Sequence, residues 1–535
     1  MTIKAATPPD KPRGSATSGN EPGLFGLPYK WLVVIAVIFG VFMAVLDLTV
    51  VNIALVKLQA VFGVSLDEVQ WVVTGYSLAI TASIPFFGYL AERFGIKRIY
   101  LSALVIFTVG SVLSGLAWSF GSLIAFRVLQ GFGSGAMLPL AIAQVFAVFP
   151  YQERGRAAAF IGVPVLMGPA FGPVLGGYIV EYIDWRLIFY LNVPIGIMGV
   201  LVGWWILRPG QATTRDPLDI PGLILSTAGF ATLVYGISEA ATKGWSSNTV
   251  ISFLVIGFIL LLALVAVELR TARPMLDLHF FSDWNFTAGS LISWTLQIGL
   301  FGVLFLIPIF LQGLRGLTPI QAGLWLLPSA LVTGVMLPVG GLLVDRFGAK
   351  PVILMGAIAL TLASYALTHL SLSTTYWTLQ LWLIGRSVAI AFTLQPVQVI
   401  ALSAVSPSRM PRATALFSVM RQVIVAFGTA LLATQVQNRT PVHFARLAEQ
   451  ATPFSPAGDF VSRVTALLQA RGFDQLHAQA AALQALGRQL QLEATIFAYD
   501  DAFLLTTLIL AVGVLLSLFL RRVTIEGGEQ AALVE

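Results

Sequence analysis

Apolar residues run along this chain in long unbroken blocks, and polar positions gather in short clusters between them. Crossing the hydrocarbon core takes roughly 20 apolar residues in a helix. Fourteen blocks reach that length, near 31–53, 70–91, 98–118, 122–146, 157–180, 187–207, 219–240, 249–268, 286–311, 321–343, 351–371, 377–402, 413–435 and 501–520. In lipid every backbone polar group must be satisfied internally, which leaves helices or closed barrels, and runs this long exclude barrel strands. The pattern therefore predicts an all-α polytopic membrane protein with 14 transmembrane helices. The polar segment 436–500 interrupts the series, and its Ala, Gln and Leu at helical spacing around 460–496 predict a short helical cap.

Composition agrees with the pattern. Hydrophobic residues make up 57% of the 535 residues and charged residues 10%, and the mean hydropathy is +0.86. Soluble domains carry about 25% charged residues. Residues 1–30 read as a disordered tail without a signal-peptide pattern, and 523–535 as a second tail. Cysteine is absent, which excludes disulfides and thiolate metal sites, and His443 and His477 are too far apart in pattern to argue for a metal. The net charge of +6 is partitioned by side rather than gathered for nucleic acid. With the N-terminus inside, nineteen lysines and arginines fall on that side and four in the short loops opposite. The positive-inside rule then predicts a plasma (inner) membrane protein with both termini cytoplasmic.

Two of the loops on the basic side are near copies, "FGYLAERFGIKRI" at 87–99 and "GGLLVDRFGAKPV" at 340–352. Gly88 pairs with Gly341, Glu92 with Asp345, Arg93 with Arg346, Gly95 with Gly348 and Lys97 with Lys350, at a constant offset of 253. Each copy lies between the second and third spans of a six-span unit, so the organisation is 6 + 2 + 6. The halves are 31–207 and 286–522, the latter carrying 436–500, and the region 208–285 holds the two extra spans. Repeated halves related about the membrane normal mark a transporter, with cargo handled where they meet.

These loops resemble motif A of the major facilitator superfamily. "RVLQGFGSG" (127–135) resembles its motif B, and "GVPVLMGPAFGPVLGG" (162–177) its antiporter motif, here Gly162, Gly168, Pro169, Gly172, Pro173, Gly176 and Gly177. "LDLTVVNIAL" (46–55) and "WRLIFYLNVPIG" (185–196) are similar to motifs of the fourteen-span drug:proton antiporters of the EmrB/QacA type, and the segment 439–456 places the chain nearer the EmrB branch. The resemblance implies export of lipophilic small molecules driven by protons, with no cofactor and no enzymatic activity. It also implies a periplasmic adaptor protein and outer-membrane channel as partners where the host has an outer membrane.

The residues themselves suggest how such work is divided. Asp47 is the one carboxylate deep in the apolar blocks, and Arg127 and Gln130 sit in the fourth span. Counting from the span ends puts Asp47 and Arg127 at the same depth, roughly 8–9 Å below the outer surface at 1.5 Å per residue. An ion pair favours a charged carboxylate and apolar burial disfavours it, so a site balanced between them can load and unload a proton. On a helical wheel Asp47 lies roughly 140–160° from Thr49 and Asn52. Asp47 is expected to face a water-accessible cavity while Thr49 and Asn52 bond to a neighbouring helix, although the reverse assignment also fits. In motif A an acid in each half is expected to meet the N-terminus of a facing helix and to form a cytoplasmic latch that opens and closes. In the antiporter motif Gly168, Gly172 and Gly176 line one face for close helix approach, and the prolines predict a kink or hinge. Candidate cavity residues are Asp47, Asn52, Tyr76, Trp294, Phe305, Arg386 and Phe392. One acid beside Arg127, Arg386 and Arg421 suits neutral or weakly acidic cargo better than dications. The rival is a dedicated exporter of one native metabolite, lipid or siderophore, and the least favoured reading is a non-transporting receptor or scaffold.

Overall fold

The computed structural model describes residues 26–209, 219–271, 274–403 and 405–521. Both predicted tails lie essentially outside these residues. Among the described residues thirteen helices are long and apolar enough to span a membrane. The fourteenth expected span is a 29-residue helix, Arg154–Tyr182, in which the side chains of 166, 167, 169, 170 and 173 fall outside the description.

In chain order the first half comprises α1 (Tyr29–Phe62), α2 (Trp71–Phe94), α3 (Ile96–Gly115), α4 (Phe120–Val148), α5 (Arg154–Tyr182) and α6 (Asn192–Ile206). The inserted pair is α7 (Ile220–Lys243) and α8 (Asn248–Glu268). The second half comprises α9 (Trp284–Ile309), α10 (Pro319–Phe347), α11 (Ala349–Ala366), α12 (Tyr376–Ala391), α13 (Met410–Gln450) and α14 (Gln475–Leu518). Turn chemistry sets several boundaries. Gly95 at φ 90° and Gly348 at φ 83° make the sharp turns α2–α3 and α10–α11, where a side chain would be strained. That is why both repeats keep this glycine. Ser119 with Ser122, and Thr318 with Gln321, form capping boxes at the starts of α4 and α10.

Two expected elements are built differently. The block 377–402 is not one helix: α12 ends at Ala391 and a separate helix, Leu394–Ala401, follows. Pro396, in the first turn of that second helix, has no N–H to bond the Phe392 carbonyl four residues back, which favours a break here. The segment 436–500 is not a free-standing cap either. α13 runs on to Gln450 and α14 begins at Gln475, so both spans continue past the membrane as one helical pair, with helix Pro456–Ala470 packed against α14.

The halves meet along two seams. One joins α5 to α10, and the other joins α2 and α4 to α13. The inserted α7 packs on both α2 and α13 and so covers the second seam, while α8 packs on α7 and exposes most of its surface. This placement explains the uninterrupted apolar character of α8, a helix with lipid for a neighbour on most sides.

Candidate functional site

Asp47 lies on α1 with 1% of its surface exposed, and Arg127 on α4 with none. Arg127 Nη1 donates to Asp47 Oδ2 at 2.5 Å and to Gln130 Oε1 at 2.7 Å. Gln130 Nε2 and Asn192 Nδ2 each donate to Asp47 Oδ1 at 2.9 Å. Ser111 Oγ accepts from both amides and donates to the Phe189 carbonyl at 2.8 Å. The guanidinium Nε donates to the Val72 carbonyl at 3.2 Å, and its face rests 3.9 Å from the Tyr76 ring centroid, a cation–π contact. The matched depths of Asp47 and Arg127 thus correspond to a direct contact that Gln130 also bridges. Side chains of α4 and α6 thus meet the one carboxylate on α1, and α2 and α3 hold those side chains in place.

The wheel argument separates the polar residues of α1 correctly, but their surroundings differ from the expectation. Asp47 faces the interior of its own half rather than a water-filled cavity. Thr49 turns to α5, where its hydroxyl reaches the Gly168 carbonyl at 3.4 Å and bonds Leu46 O at 2.9 Å. Asn52 is exposed and bonds to no neighbouring helix among the described residues. Other cavity candidates also fall elsewhere. Tyr76 is fully buried beneath Arg127, its hydroxyl donating to Ser134 at 2.9 Å. Arg386 is 4% exposed and donates to Ser364 Oγ at 3.0 Å and to the Gly299 carbonyl at 2.6 Å, inside the second half. Phe392 packs at the break after α12 against the Gly340 and Gly356 positions. Trp294 is half-buried and Phe305 exposed. Asn192 and Ser111 join the site beyond the sequence expectation; the signal for Asn192 is an Asn in the apolar run "YLNVPIG" at 190–196.

Glycines explain how α1 is held. Gly168, Gly172 and Gly176 face Val45, Thr49 and Val50 so closely that a methyl at any of them would crowd α1. The stripe therefore packs α5 on α1 within the first half. Gly162 and Gly177 of the same helix face Gln395 and Ile320 across the seam. No interruption of α5 accompanies the motif, which stays helical from Arg154 to Tyr182. The side chains of Pro169 and Pro173 lie outside the described residues.

At the basic face the repeated acids meet the other half. Asp345 of α10 accepts from the Gly155 amide at 3.1 Å and pairs with Arg156 Nε at 3.1 Å, both at the N-terminus of α5. Glu92 of α2 pairs with Arg412 Nε at 2.8 Å, at the N-terminus of α13. Each acid thus sits where a helix N-terminus favours negative charge. Gly88 lies against Ala415 and Pro411, and Gly341 against Gly155, so the glycines of the repeat let the halves close there. The repeated lysines do something else. Lys97 Nζ donates to the Trp204 carbonyl at 2.7 Å and Lys350 Nζ to the Leu518 carbonyl at 2.8 Å. Both cap the C-terminus of the last helix of their own half. Arg93 and Arg346 lie over the rings of Phe94 and Phe347 and join neither latch.

A helical bundle of two repeated halves, latched together at one face and carrying a buried carboxylate in one half, defines a polytopic membrane transporter. The chain belongs to the Major Facilitator Superfamily, whose model matches residues 37–429. It is 33% identical to the uncharacterized MFS-type transporter YhcA of Bacillus subtilis, over 91% of this chain and 92% of that one. It is likewise 33% identical to the multidrug export protein EmrB of Haemophilus influenzae, over 79% of this chain and 84% of that one. Among solved structures, the proton:xylose symporter XylE superposes with a TM-score of 0.58 at 14% identity, over 92% of this chain and 96% of that one. That last likeness speaks for the fold alone.

Proposed function

We propose that this protein exports lipophilic, neutral or weakly acidic compounds from the cytoplasm in exchange for protons, by alternating access of its two halves. In this reading the basic face is cytoplasmic, as the charge count predicts, and the structure represents a state closed on that side. The observation that carries the reading is Asp47, a buried carboxylate that accepts hydrogen bonds from Arg127, Gln130 and Asn192 of its own half. An intramembrane acid is expensive and marks a functional site by default. A proton arriving on Asp47 cancels the ion pair and leaves Arg127 to Gln130, the Val72 carbonyl and the Tyr76 ring. α1 then loses its grip on α4. Because α1 is packed through the glycine stripe to α5, and the N-terminus of α5 carries the Asp345 latch, a shift at Asp47 has a contiguous path to the cytoplasmic closure. The name of the EmrB relative supports drugs as cargo.

The test is Asp47→Asn in proteoliposomes with an imposed pH gradient. Asn retains the shape and most of the hydrogen bonds but cannot take a proton. Gradient-driven export and substrate-induced proton release should both fall to the level of empty liposomes, while size-exclusion profile and helicity stay those of the parent. Export at the parent rate by the variant would remove Asp47 as the coupling group.

A further inference from the structure

With Asp47 sequestered, Arg127 paired and Arg386 folded into the second half, one cation of the membrane interior has no such partner among the described residues. Arg421 lies on α13, roughly 17 Å along the helix from its start on the basic face at 1.5 Å per residue, near mid-bilayer. It makes no hydrogen bond, ion pair or ring contact among the described residues. It borders a cavity of about 20 Å³, room for a water molecule. Gln297, Gln395, Gln398 and Phe417 line the same space from the second half, and Ile142 of α4 lines it from the first. Gln297 is 2% exposed and its Oε1 has no partner. A partly buried guanidinium facing this space and a buried amide oxygen without a partner form an incomplete site at the junction of the halves, since a buried polar group costs free energy until it is paired.

We propose that Arg421 and these glutamines receive the ionised acid group of an amphiphilic organic anion, a carboxylate in the first instance. The apolar body of the ligand extends along the Ile142 and Phe417 wall. A guanidinium binds carboxylate through two parallel hydrogen bonds, and side-chain amides adapt as donor or acceptor to the remaining oxygens. The site is closed to water size here, with walls from both halves, so opening of either seam would admit the cargo. This inference rests on the reading of the chain as an exporter of lipophilic compounds. It sharpens that reading from tolerance of weak acids to recognition of their charged form.

The experiment compares two fluorescent probes of the same ring system, 9-anthracenecarboxylate and the neutral 9-anthracenemethanol, binding to the full-length protein in zwitterionic lipid without a gradient. The parent should bind the carboxylate at least about tenfold more tightly than the alcohol, about 1.4 kcal/mol. Arg421→Gln should abolish that preference and leave the alcohol unchanged, and Arg421→Lys should keep part of it. Equal affinity of the parent for both probes would overturn the proposal, as would a preference that survives Arg421→Gln. Gradient-driven transport of the carboxylate is read separately. Anion preference without such transport would sink the export reading and leave the site standing.

Discussion

The two halves contain the same arginine in the same kind of place and use it for different ends. In the first half Arg127 holds Asp47, and Ser111 supports the amides around it. In the second half Arg386 stands at the corresponding position and bonds Ser364, which follows Ser111 by the 253 residues of the loop repeat. At that 253-residue offset Asp47 falls on Leu300, whereas the two arginines are 259 apart, and the group that meets the Arg386 guanidinium is the backbone carbonyl of Gly299. One half therefore places a proton-accepting group against its arginine, and the other places a carbonyl that cannot be protonated. The fold duplicates a scaffold, and in the proposed exchange a single side chain, Asp47, makes one copy responsive.

The largest contrast should come from the arginines. Arg127→Ala leaves a carboxylate buried without its counter-charge, and breaking such a pair costs about 3–5 kcal/mol. A large fall in thermal stability and loss of gradient-driven export are expected. Arg386→Ala strands only a hydroxyl and a carbonyl, at about 1–3 kcal/mol, and transport should remain coupled. Equal loss of coupling in both variants would show that the halves are not divided in this way.

Next come the latches. Glu92 and Arg412 are nearly buried, their side chains 4% and 11% exposed, whereas Arg156 of the Asp345 latch is 37% exposed. Glu92→Gln should therefore open the basic face more than Asp345→Asn, since water can solvate Arg156 but not Arg412. The chain has no cysteine, so Ile400→Cys, buried beside the Asp345 latch, and Leu416→Cys, buried one turn inside Arg412 on α13, each report opening of their own seam by the rate of thiol labelling. Roughly tenfold acceleration, about 1.4 kcal/mol, is expected for Glu92→Gln. A smaller effect from Glu92→Gln than from Asp345→Asn would reverse the ranking.

The smallest effect belongs to the lysine caps. Lys97→Ala and Lys350→Ala each remove a cation from a helix C-terminus, worth about 0.3–1 kcal/mol, and the two losses of thermal stability should match. A several-fold difference in labelling of Ile400→Cys on either change would mean that these lysines belong to the latch after all.

Much of this architecture was legible in the sequence. Apolar block length dictated the spans, because lipid offers the backbone no partner, and the repeated loop dictated the two halves. Equal depth brought Asp47 to Arg127, since helices of fixed rise crossing one slab share a coordinate along its normal. The wheel separated Asp47 from Thr49 and Asn52 for a similar reason: periodicity fixes relative direction on one helix. What direction means depends on the neighbour, and that lies in no local pattern. Whether Asp47 looks into water or into protein depended on where α3 and α6 bring Ser111 and Asn192. The glycine stripe of α5 announced a close contact without saying that α1, rather than the opposite half, would make it. Only the tertiary structure decided that Arg386 is spent on a hydroxyl and a carbonyl, that the lysines of the repeat serve their own halves, and that Arg421 has no partner among the described residues. Pairing in a membrane interior is settled by which helix faces meet, and that is a property of the packed bundle.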